Sequence, residues 1–268
     1  MSLLSRYRFW IIGALTALAV LTLAAPRIRA AYRVHRGREA CRQARYDQAA
    51  ECFRGALELN PGSLEARRLL ATAYMNQYVP GGESPENLRL AQAAQDEFRA
   101  VLERTPKDET SLLSLGSLYL QQQRFEEAAR TYGEVIEVNP RNKEAYYALG
   151  LIAWSRFSPA YWSARAALGL MPEDLGPVRD QQVLKQLRRE WLPIVDEGLK
   201  NLRKAVEIDQ EYDDAMRSIS LLTRAHAELV DDAAQYNEEI RAADTWASRA
   251  LEIGKLKAER RQGATQRP

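Results

Sequence analysis

ETSLLSLGSLYLQQQRFEEAARTYGEVIEVNP, residues 109–140, decides the fold. Its apolar residues recur at three and four, the spacing that gathers side chains on one face of a helix. Leu112, Leu115, Gly116 and Tyr119 make one such stripe, and Phe125, Ala128, Tyr132, Val135 and Ile136 make a second. Gln122-Gln123-Arg124 breaks the two apart, and Asn139-Pro140 ends the unit. Gly116 and Ala128 are small enough for two helix backbones to approach closely. The stretch therefore predicts a hairpin of two amphipathic helices, neither able to bury its stripe alone.

The same pattern recurs along the chain. Small residues of second helices fall at Ala49, Ala94, Ala128, Gly198 and Ala243, spaced by 45, 34, 70 and 45. Helix-ending prolines fall at Pro61, Pro106 and Pro140, with Gln210 in the equivalent slot. A tandem array with insertions accounts for these intervals. The order of large residue, Leu-Gly, aromatic, Ala, aromatic and closing Pro resembles the tetratricopeptide repeat (TPR), with Leu112 where the pattern has Trp. The resemblance extends over roughly residues 30–255 and, in its later part, is to bacterial repeat proteins. It implies an all-α, TPR-type α-solenoid of about five repeats: 30–61, 64–106, 109–140, 143–210 and 213–257.

Charge divides the chain unevenly. Residues 1–42 hold eight Arg and one Glu, so +7 of a net +2 lies there and the remainder is −5. Residues 9–25, FWIIGALTALAVLTLAA, carry no charge. That length is the short end for a membrane-spanning helix, at about 17–25 residues. The expected layout is a basic tail over 1–8 and a single transmembrane or signal-anchor helix over 9–26, giving a single-pass protein of the cell membrane. Pro26 spoils cleavage after Ala25, and Arg27, Arg29 and Arg33 follow as a stop-transfer flank. A cleaved signal peptide and a secreted array form the alternative. The arginine count leans toward a cytoplasmic array but does not decide the side of the membrane. Two cysteines, Cys41 and Cys52, exclude a disulfide framework.

Within the repeats, the first helix of the first is degenerate, with Arg33 and Arg36 where apolar residues are expected. Val79-Pro80-Gly81-Gly82 predicts a turn, and Ser84-Pro85 a helix start. The fourth repeat is stretched near residues 155–190. We expect a long hairpin with its tip over residues 170–177, the rival being a hidden sixth repeat marked by Ala160, Ala164, Ala167 and Pro172. The last helix is expected from Ala233 to about Lys257, with a disordered basic tail over 258–268.

Stacked repeats curve, and the resemblance implies a concave groove lined by first helices that binds segments of other proteins. Carried over position by position, the groove comprises Arg38 and Arg42, then Arg68, Thr72 and Asn76. It continues through Leu113, Ser117 and Leu120, then Tyr147, Leu151 and Trp154, and ends at Arg217, Leu221 and Arg224. Chaperone-binding members have Lys and Asn where this chain has Arg68 and Thr72, Leu113 and Ser117, or Tyr147 and Leu151, so their acidic carboxyl-terminal ligand is not implied. Phe157, Tyr161 and Trp162 lie outside the repeat register and form a second expected contact surface on the hairpin. No nucleophile elbow, phosphate loop or metal-ligand spacing occurs, and His35 and His226 stand far apart. The acidic repeat region lacks the footprint of a nucleic-acid binder. The expected function is a non-enzymatic, membrane-anchored scaffold for a protein or peptide partner, touching the bilayer through residues 9–25. It needs no cofactor or small-molecule substrate. A structural subunit of a membrane complex is the alternative.

Overall fold

Three first helices, Leu64–Gln77, Glu109–Gln121 and Lys143–Ala167, start at a short polar side chain two residues after the preceding repeat's closing proline. Ser63 Oγ accepts from the Ala66 amide at 3.2 Å, Asp108 Oδ1 from Ser111 at 2.8 Å and Asn142 Oδ1 from Ala145 at 2.8 Å. Each satisfies an amide that the first helical turn leaves unpaired. The computed structural model describes residues 25–171, 178, 180–230 and 232–265. These residues are helical throughout except for turns and connections. The expected span over 9–26 lies outside them apart from Ala25 and Pro26. Among the described residues no helix is long and apolar enough to cross a membrane.

The chain divides after Gln122 into two compact units. The first holds α1 (25–42), α2 (Tyr46–Leu59), α3 (Leu64–Gln77), α4 (Pro85–Leu102) and α5 (Glu109–Gln121). Its core is made largely of small residues. Ala30, Val34 and Ala40 of α1 meet Ala49, Ala50, Phe53 and Ala56 of α2 and Ala66, Leu70 and Ala73 of α3. Arg33 and Arg36 stay exposed, so the degenerate first helix keeps its inner face by using alanines. The insertion before α4 is closed by Asn87. Its side chain accepts from the Val79 amide and donates to the Val79 and Gly82 carbonyls, each at 2.7 Å. Gly81 takes φ +77° in that turn, a conformation open to glycine.

The second unit holds α6 (Phe125–Val138), α7 (Lys143–Ala167), α8 (Gln181–Ile208), α9 (Asp213–Ala227) and α10 (Ala233–Thr265). α7 and α8 are continuous helices of 25 and 28 residues that run through Pro159 and Pro193 and pack on each other. Ala160, Ala164 and Ala167, three of the four marks of a sixth repeat, all lie within α7; the fourth, Pro172, and the expected tip from 172 to 177 lie outside the described residues. α8 packs on α9, and α9 on α10. The core joins Phe157, Leu199, Leu202, Met216, Ile219 and Leu222, with Trp191 and Trp246 against its edge.

One boundary needs correction. Residues 258–265, expected as disordered tail, continue α10. Lys257 Nζ meets Asp213 Oδ1 at 2.6 Å, and Arg260 meets Glu211 Oε2 at 2.7 Å. These ties hold the late turns to the start of α9, and the sequence there is rich in helix formers.

Candidate functional site

In the first unit, α3 and α5 lie in contact, and the expected groove residues sit on both. The structure gives their polar groups partners within the chain. Arg68 pairs with Asp108 at 2.8 Å, tying α3 to the cap of α5. Thr72 Oγ1 donates to the Arg68 carbonyl at 2.9 Å, and Asn76 Nδ2 to the Thr72 carbonyl at 2.8 Å. Ser117 accepts from Gln121 at 3.4 Å. Leu113 and Leu120 are half-buried. Arg38 is paired with Glu65, and Arg42 with Glu39. The arginines of the expected groove in this unit are thus paired within the chain, and Arg68 fastens one repeat to the next.

In the second unit, α7 and α9 are in contact and bring the other expected groove residues together. Tyr147 lies against Tyr212, ring centroids 5.1 Å apart, and Lys143 Nζ sits 4.9 Å from the centre of the Tyr212 ring. Leu151 and Trp154 are half-buried, Trp154 against the core. Arg217 is exposed and paired with Asp213 at 2.9 Å and with Asp214, and Arg224 is paired with Asp244.

The hairpin aromatics separate. Phe157 and Tyr161 are buried, which corrects their expected role as an exposed contact surface. Their rings stack at 5.4 Å, and Trp191 of α8 closes on Phe157 at 6.2 Å. α7 and α8 bury Phe157 between them, while Tyr161 lies on the side of α7 that faces α9. Trp162 remains on the surface, 42% exposed.

Trp154 and Trp162 of α7, Leu221 and Arg224 of α9, and Tyr236 and Ile240 of α10 surround a slot of about 200 Å³. Its floor is polar: Tyr161, Arg165 and Glu228. The Arg165 side chain is buried and donates to Tyr161 Oη at 3.1 Å and to the Met171 carbonyl at 3.3 Å. Its guanidinium lies 3.6 Å from Glu228 Oε2 and 5.5 Å from the Tyr161 ring centre. Burial pushes the Glu228 carboxyl up to about 7, against the pull of Arg165 and of hydrogen bonds from Tyr161 and Tyr236. Burial also raises the Tyr161 phenol well above its ordinary value.

This arrangement favours one kind of guest. Small-molecule sites run to about 300–1,000 Å³, so a slot of about 200 Å³ suits a single bulky side chain. Arg165 already supplies the cation that an aromatic cluster attracts, which leaves the walls to an apolar group. Sequence reading reached Trp154, Trp162, Leu221 and Arg224 but missed Arg165, Glu228, Tyr236 and Ile240. A signal was present at residue 165, which follows Phe157 and Tyr161 at steps of four and so sets a charge on an apolar stripe.

Models described as "Tetratricopeptide repeat" and "TPR repeat" match residues 34–109 and 116–155. Those residues carry tetratricopeptide repeats, and the fold is the all-α helical-hairpin solenoid of that repeat. None of the curated proteins matches the chain. Among solved structures, the chain is similar to "MamA 41-end from Desulfovibrio magneticus RS-1", with TM-score 0.57 and 15% identity over 85% of this chain and 96% of that one. A second, "Crystal structure of MamA protein", aligns with TM-score 0.56 and 16% identity over 86% and 94%. A third, YrrB, described as "a TPR protein with an unusual peptide-binding site", aligns with TM-score 0.52 and 14% identity over 89% and 97%.

Proposed function

We propose that this array of tetratricopeptide repeats is a scaffold, held at a membrane by residues 9–25, which captures a protein partner and performs no chemistry of its own. The partner inserts one bulky apolar side chain into the slot between α7, α9 and α10. The observation that carries the reading is the exposure of Trp162 and Leu221, 42% and 43%, on the rim of a cavity with a buried polar floor. Water-exposed aromatic and aliphatic groups around a concavity are the usual seat of binding energy in protein interfaces. Arg224 lines the rim in an exposed pair with Asp244, and Arg217, one turn before Leu221 on α9, forms an exposed pair with Asp214. Such pairs are worth about 0–1 kcal/mol, so a partner carboxylate exchanges for Asp244 or Asp214 at little cost. Peptide binding by the structurally similar YrrB supports a peptide-like guest.

An array of immobilised peptides, each with one Leu, Phe or Met among acidic residues, tests this with the full chain in mild detergent. Selective capture is expected, and Trp162→Ala with Leu221→Ala should weaken it about 10- to 100-fold, the loss of one or two interface hot spots. Capture that ignores the apolar residue, or that survives both replacements, refutes the reading. Both side chains are on the surface, so the double variant should fold.

A further inference from the structure

α1 has a second face that the repeats do not use. Ala30, Val34 and Ala40 point into the core. On the other side Arg29, Arg33 and Arg36 follow at steps of four and three, beside Ile28 and Tyr32, which are 66% and 62% exposed. Arg29, Tyr32, Arg33 and Arg36 form one wall of an open cleft of about 780 Å³, faced by Arg45, Gln48, Glu51 and Cys52. Glu39 also lines the cleft, but Arg42 and Gln43 already hold it. The ion pairs of α1 use Arg33, 4.0 Å from Glu58, Arg38 and Arg42. Among the described residues Arg27, Arg29 and Arg36 meet no carboxylate within ion-pair distance.

The seat of Arg33 is made by its neighbour. A Cβ on residue 55 would lie 1.6 Å from Arg33 Nη1, so the guanidinium rests against α2 only because that residue is glycine. Glycine inside a helix is less favourable than alanine, and here its smallness holds a cation in place.

We propose that Arg29, at the membrane side of this cleft, binds the phosphate of acidic phospholipid headgroups, with Ile28 entering the interface beside it and Arg33 and Arg36 strengthening the attraction from behind. The inference rests on the reading that residues 9–25 lie in the bilayer. At about 1.5 Å per residue, Arg29 stands about 6 Å beyond Ala25 along the helix, Arg33 about 12 Å and Arg36 about 16 Å. The headgroup layer is about 5–8 Å deep on each side, and charges act for about 8 Å beyond it at physiological salt. Arg29 therefore reaches the headgroups, Arg33 falls within the range of their charge and Arg36 near its limit. Guanidinium forks match phosphate oxygens, which Arg29 reaches, and the exposed Ile28 stands about 4.5 Å beyond Ala25, within the same layer.

The full chain is reconstituted in nanodiscs of phosphatidylcholine, with and without phosphatidylglycerol, and amide exchange over residues 28–40 is followed by mass spectrometry. Exchange should be at least about five-fold slower in the acidic discs, the contribution of one arginine at such a surface, and high salt should reverse it. The difference should vanish in the Arg29→Gln, Arg33→Gln, Arg36→Gln triple variant. It should shrink in Gly55→Ala, which keeps every charge and displaces only the tip of Arg33. Equal exchange in the two discs, or a difference that survives the triple variant, overturns the proposal. So does inorganic phosphate or an acidic peptide slowing exchange as strongly in neutral discs. Insertion into neutral discs separately reads the anchor. If the chain stays out, the span is refuted, and flotation with acidic but not neutral vesicles then supports the cleft, while no flotation with either overturns it.

Discussion

Gly198 lies where α8 meets α7 and α9. A Cβ there would come within 2.5 Å of Ala153 Cβ and 2.8 Å of Leu222 Cδ2. Ala153 has no rotamer with which to retreat, so the helices themselves must part. Gly198→Ala gains about 1 kcal/mol of helix propensity and loses more to overpacking. A net destabilisation of about 1–2 kcal/mol is expected in urea unfolding, and a stabilised variant would show that α8 does not sit this close. Glu228 gives a pH dependence of definite sign. Its folded carboxyl titrates near 7, above its ordinary value of 4.5, because it is buried. The folded state thus holds a proton that the unfolded chain releases, so stability falls as pH rises from about 4.5 to 7 and is level above. The span is on the order of 3 kcal/mol. Glu228→Gln should remove that slope and leave the variant more stable than the parent at pH 8. Asp209 and Asp213 act oppositely. Hydrogen bonds from Lys143 and Lys257 hold their carboxyls below 3.8, so the stability they add is present above that value and lost in acid.

At the scale of elements, α10 shows how a helix outruns its own repeat. Its late turns are tied to the segment that opens α9 by Lys257–Asp213 and Arg260–Glu211. The partly shielded Lys257–Asp213 pair is worth at most about 1 kcal/mol, which is about five-fold in an opening equilibrium, and the exposed Arg260–Glu211 pair adds to it only weakly. Lys257→Ala and Arg260→Ala together should therefore speed amide exchange over residues 258–265 several-fold and leave α9 unaffected. Unchanged exchange would mean that local propensity alone carries the end of the helix. The same reasoning explains why this end was illegible. Nothing in residues 255–265 shows a reader that Glu211 and Asp213 wait beside them. The hairpin aromatics were illegible for a related cause, since the insertion has no repeat register from which to count faces. Only the packing of α7 on both α8 and α9 decides that Phe157 and Tyr161 turn inward while Trp162 turns out.

For the whole molecule, helices pack mostly on their neighbours in sequence: α2 on α3, α3 on α4, α7 on α8 and α9 on α10. Local contacts need little chain closure, and such proteins fold fast. After a short unfolding pulse that leaves prolines in their native isomers, refolding by stopped-flow circular dichroism should finish within milliseconds. A dominant phase on the order of seconds would contradict that order of assembly. The register itself was open to reading, because the small residues Ala49, Ala94, Ala128, Gly198 and Ala243 are all buried as their spacing required. The slot floor was not, since Arg165 and Glu228 meet only through the tertiary fold. The fastenings between repeats carry a last consequence. Arg38 reaches Glu65 and Arg68 reaches Asp108, each from one hairpin to the opening turn or cap of the next. Residues 64–106 carry both Glu65 and Arg68, so that hairpin, copied in tandem by gene duplication, would bring an acid and an arginine for its own clasp, which the next repeat, with Leu113 in the arginine slot, would not.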